Sequence, residues 1–214
     1  MSKLTLGAIL YEGFELLDMF GPLEMFTALP AEMLEVVMIA EQKGTVNAGS
    51  MSGAPMPSVV ADYSFDTAPA LDVILVPGGM GTIPELDNAA MLNFLSERAK
   101  TATITSSVCT GSALLAKAGI LDGKKATSNK QVFNLAVSSS DKVEWVESAR
   151  WVDDGNVVTS SGVSAGIDMS LAIIARLFDD ETAESIANGA EYTWHRDANV
   201  DPFAQYLNQV ALPA

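Results

Sequence analysis

Thr103-Ile104-Thr105-Ser106-Ser107-Val108-Cys109-Thr110-Gly111-Ser112-Ala113-Leu114-Leu115 holds the only cysteine of the chain, at a strand-to-helix turn. A β-branched run ends at Ser107, and an Ala/Leu-rich helical stretch begins by Ser112. Between them, Ser107-x-Cys109-x-Gly111 has the shape of a nucleophile elbow, a tight turn that lifts one side chain above a sheet while a glycine behind it avoids a clash. A thiol held there lies near a helix N-terminus, whose free N–H groups and dipole favour thiolate over thiol.

Outward from this turn, strands and helices alternate. Leu4 to Leu10 reads as a buried strand and Asp18 to Leu29 as an amphipathic helix entered through Gly13. Leu34 to Ala40 is a second strand, followed by a polar Gly/Ser/Pro section to about Pro57. Val73 to Val76 is a short apolar strand that stops at Pro77-Gly78-Gly79. Helices follow at Ala89–Lys100 and Gly111–Ala118, with the Ala102–Ser106 strand between them. Glu144–Ser148, Ala149–Asp153 and Val157–Ser160 read as shorter strands, and Ala165–Phe178 and Asp180–Ala190 as helices. Continuously apolar strands alternating with helices predict an α/β fold: a mostly parallel sheet covered on both faces. In such sheets, sites form beyond the C-terminal strand ends, where Glu12–Asp18, Pro77–Met80, Ser107–Thr110 and Ser160–Ser164 would meet.

The 214 residues allow one substantial core, and no linker or repeat divides them, so 1–214 reads as one domain with a C-terminal tail at 191–214. A 49% hydrophobic and 18% charged composition fits buried sheet faces and an oligomer interface. The net charge of −15 argues against binding nucleic acid or anionic membrane by simple electrostatics. No apolar segment reaches transmembrane length and the N-terminus lacks a signal-peptide cleavage region, so a cytoplasmic protein is expected. One cysteine excludes an internal disulfide and a multi-cysteine zinc site, and with a single histidine no metal is expected.

Each candidate has a plain alternative. Cys109 could be a small buried apolar residue. Asp18 could be a helix N-cap, but its flanks Leu16, Leu17, Met19 and Phe20 would desolvate it if it points inward, raising its pKa so that it could carry a proton. Glu15 and Glu24 are the rival carboxylates. Gly78-Gly79 and Met80-Gly81 could simply end a strand, or could bring backbone N–H groups close to a ligand. Ser160 to Gly166 allows the same two readings. His195, the only histidine, lies among aromatic and charged residues that point to a surface or interface role. The cysteine would then work without histidine, poorly equipped to expel an amine from a peptide. Met19, Phe20, Met80 and Ile83 hint at an apolar pocket, though core packing explains them equally well.

Four ordered motifs carry a resemblance: Leu17-Asp18-x-x-Gly21-Pro22-x-Glu24-x-Phe26, Pro77-Gly78-Gly79-x-Gly81, Val108-Cys109-Thr110-Gly111 and Ser161-Gly162-x-x-Ala165-Gly166-Ile167-Asp168. Together they resemble the ThiJ/PfpI superfamily over nearly the whole chain. Thr110 stands where protease-like members carry histidine, and Asp18 where many members carry glutamate; both departures resemble the isonitrile-hydrating branch. The resemblance implies a flavodoxin-like three-layer sandwich, usually a homodimer, that hydrates a small-molecule isonitrile without metal or organic cofactor. It further implies Cys109 as nucleophile, Asp18 as proton carrier and Thr110 as the residue that positions Asp18 or water. Peptide N–H groups near Gly79, Thr110 and Val163 would hold the thiolate or the developing charge, with Met80 among the substrate-binding residues. The alternatives are a redox or ligand sensor built on an oxidisable Cys109, the sensor domain of a transcription regulator, and glyoxalase-like chemistry on α-oxoaldehydes. The regulator reading finds no basic recognition helix, and the glyoxalase reading wants glutamate at position 18.

Overall fold

In the computed structural model, which describes residues 3–49 and 56–210, β1 (Leu4–Ile9) leads into α1 (Leu16–Thr27), β2 (Leu34–Ala40), β3 (Gly44–Asn47), β4 (Ser58–Ala61) and β5 (Tyr63–Ser64). The middle of the chain forms β6 (Val73–Val76), α2 (Thr82–Glu85), α3 (Ala89–Ala99), β7 (Ile104–Ser107), α4 (Gly111–Lys117) and β8 (Lys125–Ala126). The last stretch forms α5 (Phe133–Ser139), β9 (Glu144–Trp145), β10 (Trp151–Asp154), β11 (Val157–Ser160), α6 (Ala165–Leu177) and α7 (Asp180–Gly189). A 3₁₀ turn follows at Ala204–Tyr206.

Seven strands form one sheet in the order β10-β11-β7-β6-β1-β2-β5, parallel throughout except for the edge pair β10/β11. The central strands are buried on both faces, so their sequences run continuously apolar or small, and β6 is fully buried at Val73, Ile74, Leu75 and Val76. Removing each such side chain from water contributes ~1.5–3 kcal/mol before chain entropy is counted. Helices α1, α6 and α7 pack on one another, and α3, α4 and α5 form a second group. Helices thus flank the sheet in the expected α/β sandwich. Among the described residues no helix is long and apolar enough to cross a membrane.

Two features of the topology locate a site. The chain winds outward from β1 in one direction through β2 and in the other through β6, β7 and β11, which opens a crevice beside β1. Register does the rest: Val76 pairs with Ser107, and Ser107 with Thr159, so the turns after β6, β7 and β11 leave the sheet side by side.

The polar section after β2 differs from expectation. It contains a two-stranded antiparallel ribbon, β3 with β4, while residues 50–55 of that section lie outside the described range. Of the strands expected after residue 143, Glu144–Ser148 shortens to β9, which pairs with β8 apart from the main sheet. The Asp18–Leu29 helix starts earlier, at Leu16, with Glu15 as its N-cap residue.

Candidate active site

Cys109 has φ 58°, a left-handed conformation that a residue with a side chain adopts only when its surroundings impose it. Here they do. The Cys109 N–H donates to Ser161 O (3.1 Å), and its carbonyl accepts from Ser112 Oγ (3.1 Å) and Ser128 Oγ (3.0 Å). Val108 N donates to Val76 O (2.9 Å), which ties the turn to the neighbouring strand end. Gly111 is required, because a Cβ there would lie 2.5 Å from Val76 O and 2.6 Å from Pro77 O. The elbow read from the sequence is therefore the geometry of the backbone.

Asp18 reaches the same place from α1 and is fully buried. Its Oδ2 accepts from Gly78 N at 2.8 Å, while Oδ1 has no hydrogen-bond partner. Burial raises its carboxyl to about 7; the Gly78 N–H opposes this, the charge of Glu15 adds to it, and the neighbouring Cys109 side chain weakly opposes it. It is thus not the helix cap. Glu15 occupies the N-cap and lines the cavity, its own carboxyl raised by burial. Glu24 is exposed.

The thiol does not follow the sequence expectation. Burial pushes the Cys109 thiol up, and the Asp18 charge adds to that. The Asn129 amide and the backbone N–H groups of Thr110 and Val163 act in the opposite direction and are outweighed. The reason is that Cys109 is only 5% exposed and feels the charge of the buried Asp18 carboxyl, so a second negative charge there is costly.

Thr110 is buried beside them. Its Oγ1 accepts from Gly79 N (3.0 Å) and lies 2.9 Å from Thr82 Oγ1, which is 3.1 Å from the Tyr11 hydroxyl. Tyr11 in turn donates to Pro77 O at 2.6 Å. A Cβ on Gly78 would come within 2.5 Å of Thr110 Oγ1 and 2.8 Å of Asp18 Oδ2, so both functional side chains lean on this glycine. The Gly79 N–H, expected to face the developing charge, is instead committed to Thr110.

A cavity of about 150 Å³ opens over the cysteine. Gly79, Met80, Ile83, Cys109, Thr110 and Val163 line it, as expected, together with Glu15, Val132, Leu135 and Val210. Met19 is core and Phe20 lies on the surface, so neither contributes. Val163 has φ 46°, a second strained position facing Cys109. His195 is exposed, and its ring Nε2 contacts Val200 O at 3.2 Å, away from the cavity.

Two features had no expectation attached to them. Asn129 donates from Nδ2 to Cys109 Sγ at 3.0 Å. Behind it, Lys130 is buried, bonded to Thr127 Oγ1 and Ala149 O at 2.7 Å each, with Asp201 at 3.8 Å. Asp201 also faces Arg150, which holds Asp168 at 2.6 Å, and Asp168 Oδ1 accepts from Tyr192 and from the His195 N–H. This ionic cluster straps the tail across the molecule. Asn208 N donates to Lys130 O, and Val210 N to Gln131 O, which brings Val210 to the cavity.

Residues 7–176 match the model of the DJ-1/PfpI family. The chain is 33% identical over 194 residues to an isonitrile hydratase of Pseudomonas putida, covering 88% of this chain and 78% of that one. The structure superposes on a ThiJ/PfpI family protein from Pseudomonas syringae with a TM-score of 0.78 at 33% identity, over 90% of this chain and 76% of that one. DJ-1beta of Drosophila melanogaster shares the fold at 22% identity, with a TM-score of 0.76 over 91% of this chain and 100% of that one.

Proposed function

The chain belongs to the DJ-1/PfpI family, and from that premise we propose that it hydrates isonitriles (R–N≡C) to N-substituted formamides. The observation that carries the reading is Cys109 on the wall of a mainly apolar cavity with the buried Asp18 carboxyl behind it, whose Oδ1 has no partner. The 33% identity to an isonitrile hydratase supports it.

The terminal carbon of an isonitrile needs a nucleophile and a proton at the same atom. As Sγ of Cys109 bonds to that carbon, the thiol proton passes to Asp18 and from Asp18 to the carbon, giving the thioimidate R–N=CH–S. A carboxyl with pKa about 7 suits this transfer at neutral pH. Asp18, a carboxylate again, then takes a proton from water as the hydroxide adds to the thioimidate carbon and passes that proton to the nitrogen; as the carbinol collapses, Asp18 moves the hydroxyl proton to the departing sulfur. Breaking the C–S bond releases R–NH–CHO and returns the thiol. Tyr11 gives its single proton to Pro77 O, so Thr82 donates to Tyr11 and Thr110 to Thr82, while Thr110 Oγ1 accepts from Gly79 N–H; Thr110 thus fixes the glycine turn beside the reacting pair.

The homodimer and the cytoplasmic location belong to the same reading. Leu17 (41% exposed) and Phe20 (42%) lie three residues apart on α1 and form the apolar surface that a second copy would cover. The defining experiment is turnover of p-nitrophenyl isocyanide, followed by loss of the isonitrile infrared stretch. Wild type should produce the formamide, and Cys109→Ala and Asp18→Asn should not. An inactive wild type would overturn the assignment and direct attention to α-oxoaldehydes and to oxidation of Cys109.

A further inference from the structure

We propose that Asn129 is a catalytic residue whose side-chain amide holds the sulfur of Cys109 as negative charge develops on it. The proposal rests on Cys109 being the attacking group, whatever electrophile it attacks.

The geometry leaves the amide one orientation. Asn129 Oδ1 accepts from Gln131 N at 2.8 Å and from Val132 N at 3.3 Å, closing a turn in which the side-chain oxygen is occupied by two donors. Turning the amide over would aim its NH₂ at those two N–H groups, losing both bonds for at most one weak S–H···O contact. The NH₂ must therefore face Sγ, at 3.0 Å. Among the described residues it is the only side chain that donates to Cys109 Sγ.

The position is also built to stay. Thr127 N donates to Thr159 Oγ1 (2.8 Å), Ser128 Oγ donates to the Cys109 carbonyl, and buried Lys130 is bonded from both sides. Residues 127–130 are thus pinned to β11, to the elbow and to the turn after β9. Gly162 makes the approach possible, since a Cβ there would lie 2.6 Å from Asn129 Nδ2. A donor fixed before the reaction needs no reorganisation when charge appears.

The chemistry of the site calls for such a donor. No histidine reaches the cavity, and burial works against the thiolate. A hydrogen bond to a thiol sulfur is weak, but the same bond to a thiolate is charge-assisted and stronger, so it lowers the barrier to attack instead of merely stabilising the resting thiol.

The test uses the fact that Cys109 is the only cysteine, so an alkylating agent reports on it alone. The second-order rate of carboxamidomethylation by iodoacetamide is measured against pH for wild type, Asn129→Asp and Asn129→Leu. Asn129→Asp keeps an oxygen for Gln131 and Val132, preserving the turn, while replacing the donor with an acceptor. Both variants should alkylate about tenfold or more slowly at neutral pH, the loss expected for a charge-assisted hydrogen bond, with the profile displaced to higher pH. A wild-type rate and profile in Asn129→Asp, with a native circular dichroism spectrum, would overturn the proposal. Because no isonitrile is used, a wild type that fails to hydrate isonitriles while Asn129→Asp still shifts the profile removes the hydratase reading and leaves the role of Asn129 standing.

Discussion

Replacing Asp18 by asparagine should abolish turnover and, at alkaline pH, make the protein more stable. In the folded chain burial raises this carboxyl to about 7, against an ordinary value of 3.8 in the unfolded chain. Between those two values the folded state keeps a proton that the unfolded state has lost, so the contribution of Asp18 to stability falls as pH rises and levels off above about 7. At about 1.4 kcal/mol per pH unit, three units amount to ~4 kcal/mol of cost once the carboxylate is charged. Asparagine carries no charge, can accept from Gly78 N as Asp18 Oδ2 does, and would place an NH₂ at the position of the orphaned Oδ1.

Urea unfolding followed by fluorescence of the three tryptophans can test this at two pH values. At about pH 5 roughly one unit of the cost is already present; at about pH 8 all of it is, so the stability gap in favour of Asp18→Asn should widen by roughly 3 kcal/mol. Comparing the pair cancels the titration of the other acidic residues. A gap that is the same at both pH values, with unchanged m-values, would mean that Asp18 is not a desolvated proton carrier. The mechanism would then lose its acid.

Two further substitutions probe how the pair is held. Gly78→Ala would set a Cβ 2.5 Å from Thr110 N and Oγ1 and displace the elbow from Asp18; kcat/KM should fall about 100-fold or more and the melting temperature should fall as well, as measured by turnover and thermal unfolding. Thr82→Val removes the hydroxyl that accepts from Thr110 and donates to Tyr11; kcat should fall several-fold to about tenfold while KM and the iodoacetamide rate stay near wild type, and a matching loss of thiol reactivity would place Thr82 in thiol activation instead.

The parts of this molecule that could be read in the sequence are those whose physics is local. Val73–Val76 is buried on both faces, so its residue types alone identify a central strand, and the turn after Ser107 carries the small residues that an elbow demands. For Asp18 the sequence carries two readings, an N-cap or an inward desolvated carboxyl, and its flanks do not decide between them, since Leu17 and Phe20 are exposed while Met19 is buried. Asn129 could not be placed. It sits in Thr127-Ser128-Asn129-Lys130-Gln131, a polar run resembling a solvated loop, and what brings it to Cys109 is the β8/β9 pairing and the bonds from β11, contacts between residues far apart in the chain. The one available signal was the lysine: a cation next to an apolar strand end has to find partners if it is buried, and Lys130 found Thr127, Ala149 and Asp201. Leu135 and Val132 reach the cavity through α5, a short helix whose mixed Phe133–Ser139 sequence carries no clean period, and Val210 through the ionic strap on the tail. The thiol expectation failed for a related reason. A helix end is a local feature, whereas the burial and the neighbouring carboxyl that outweigh it belong to the assembled fold.

The departures from ordinary folding preferences also support the proposed catalyst over the sensor alternative. Left-handed backbone at Cys109 and at β-branched Val163, both lining the cavity, and an unpartnered buried oxygen on Asp18 behind them each cost of order 1–3 kcal/mol. A cysteine that senses oxidants gains nothing from these, because its susceptibility grows with exposure and thiolate character, and Cys109 is 5% exposed with its thiol pushed up by burial. A cysteine that adds to a small apolar electrophile gains from all of them. The strain aims sulfur into the cavity, the orphaned carboxyl oxygen is free to take and return its proton, and charge appears only when an electrophile is there to accept it. In that arrangement a high resting thiol pKa protects the nucleophile between turnovers, and the Asn129 amide supplies its stabilisation at the moment of attack.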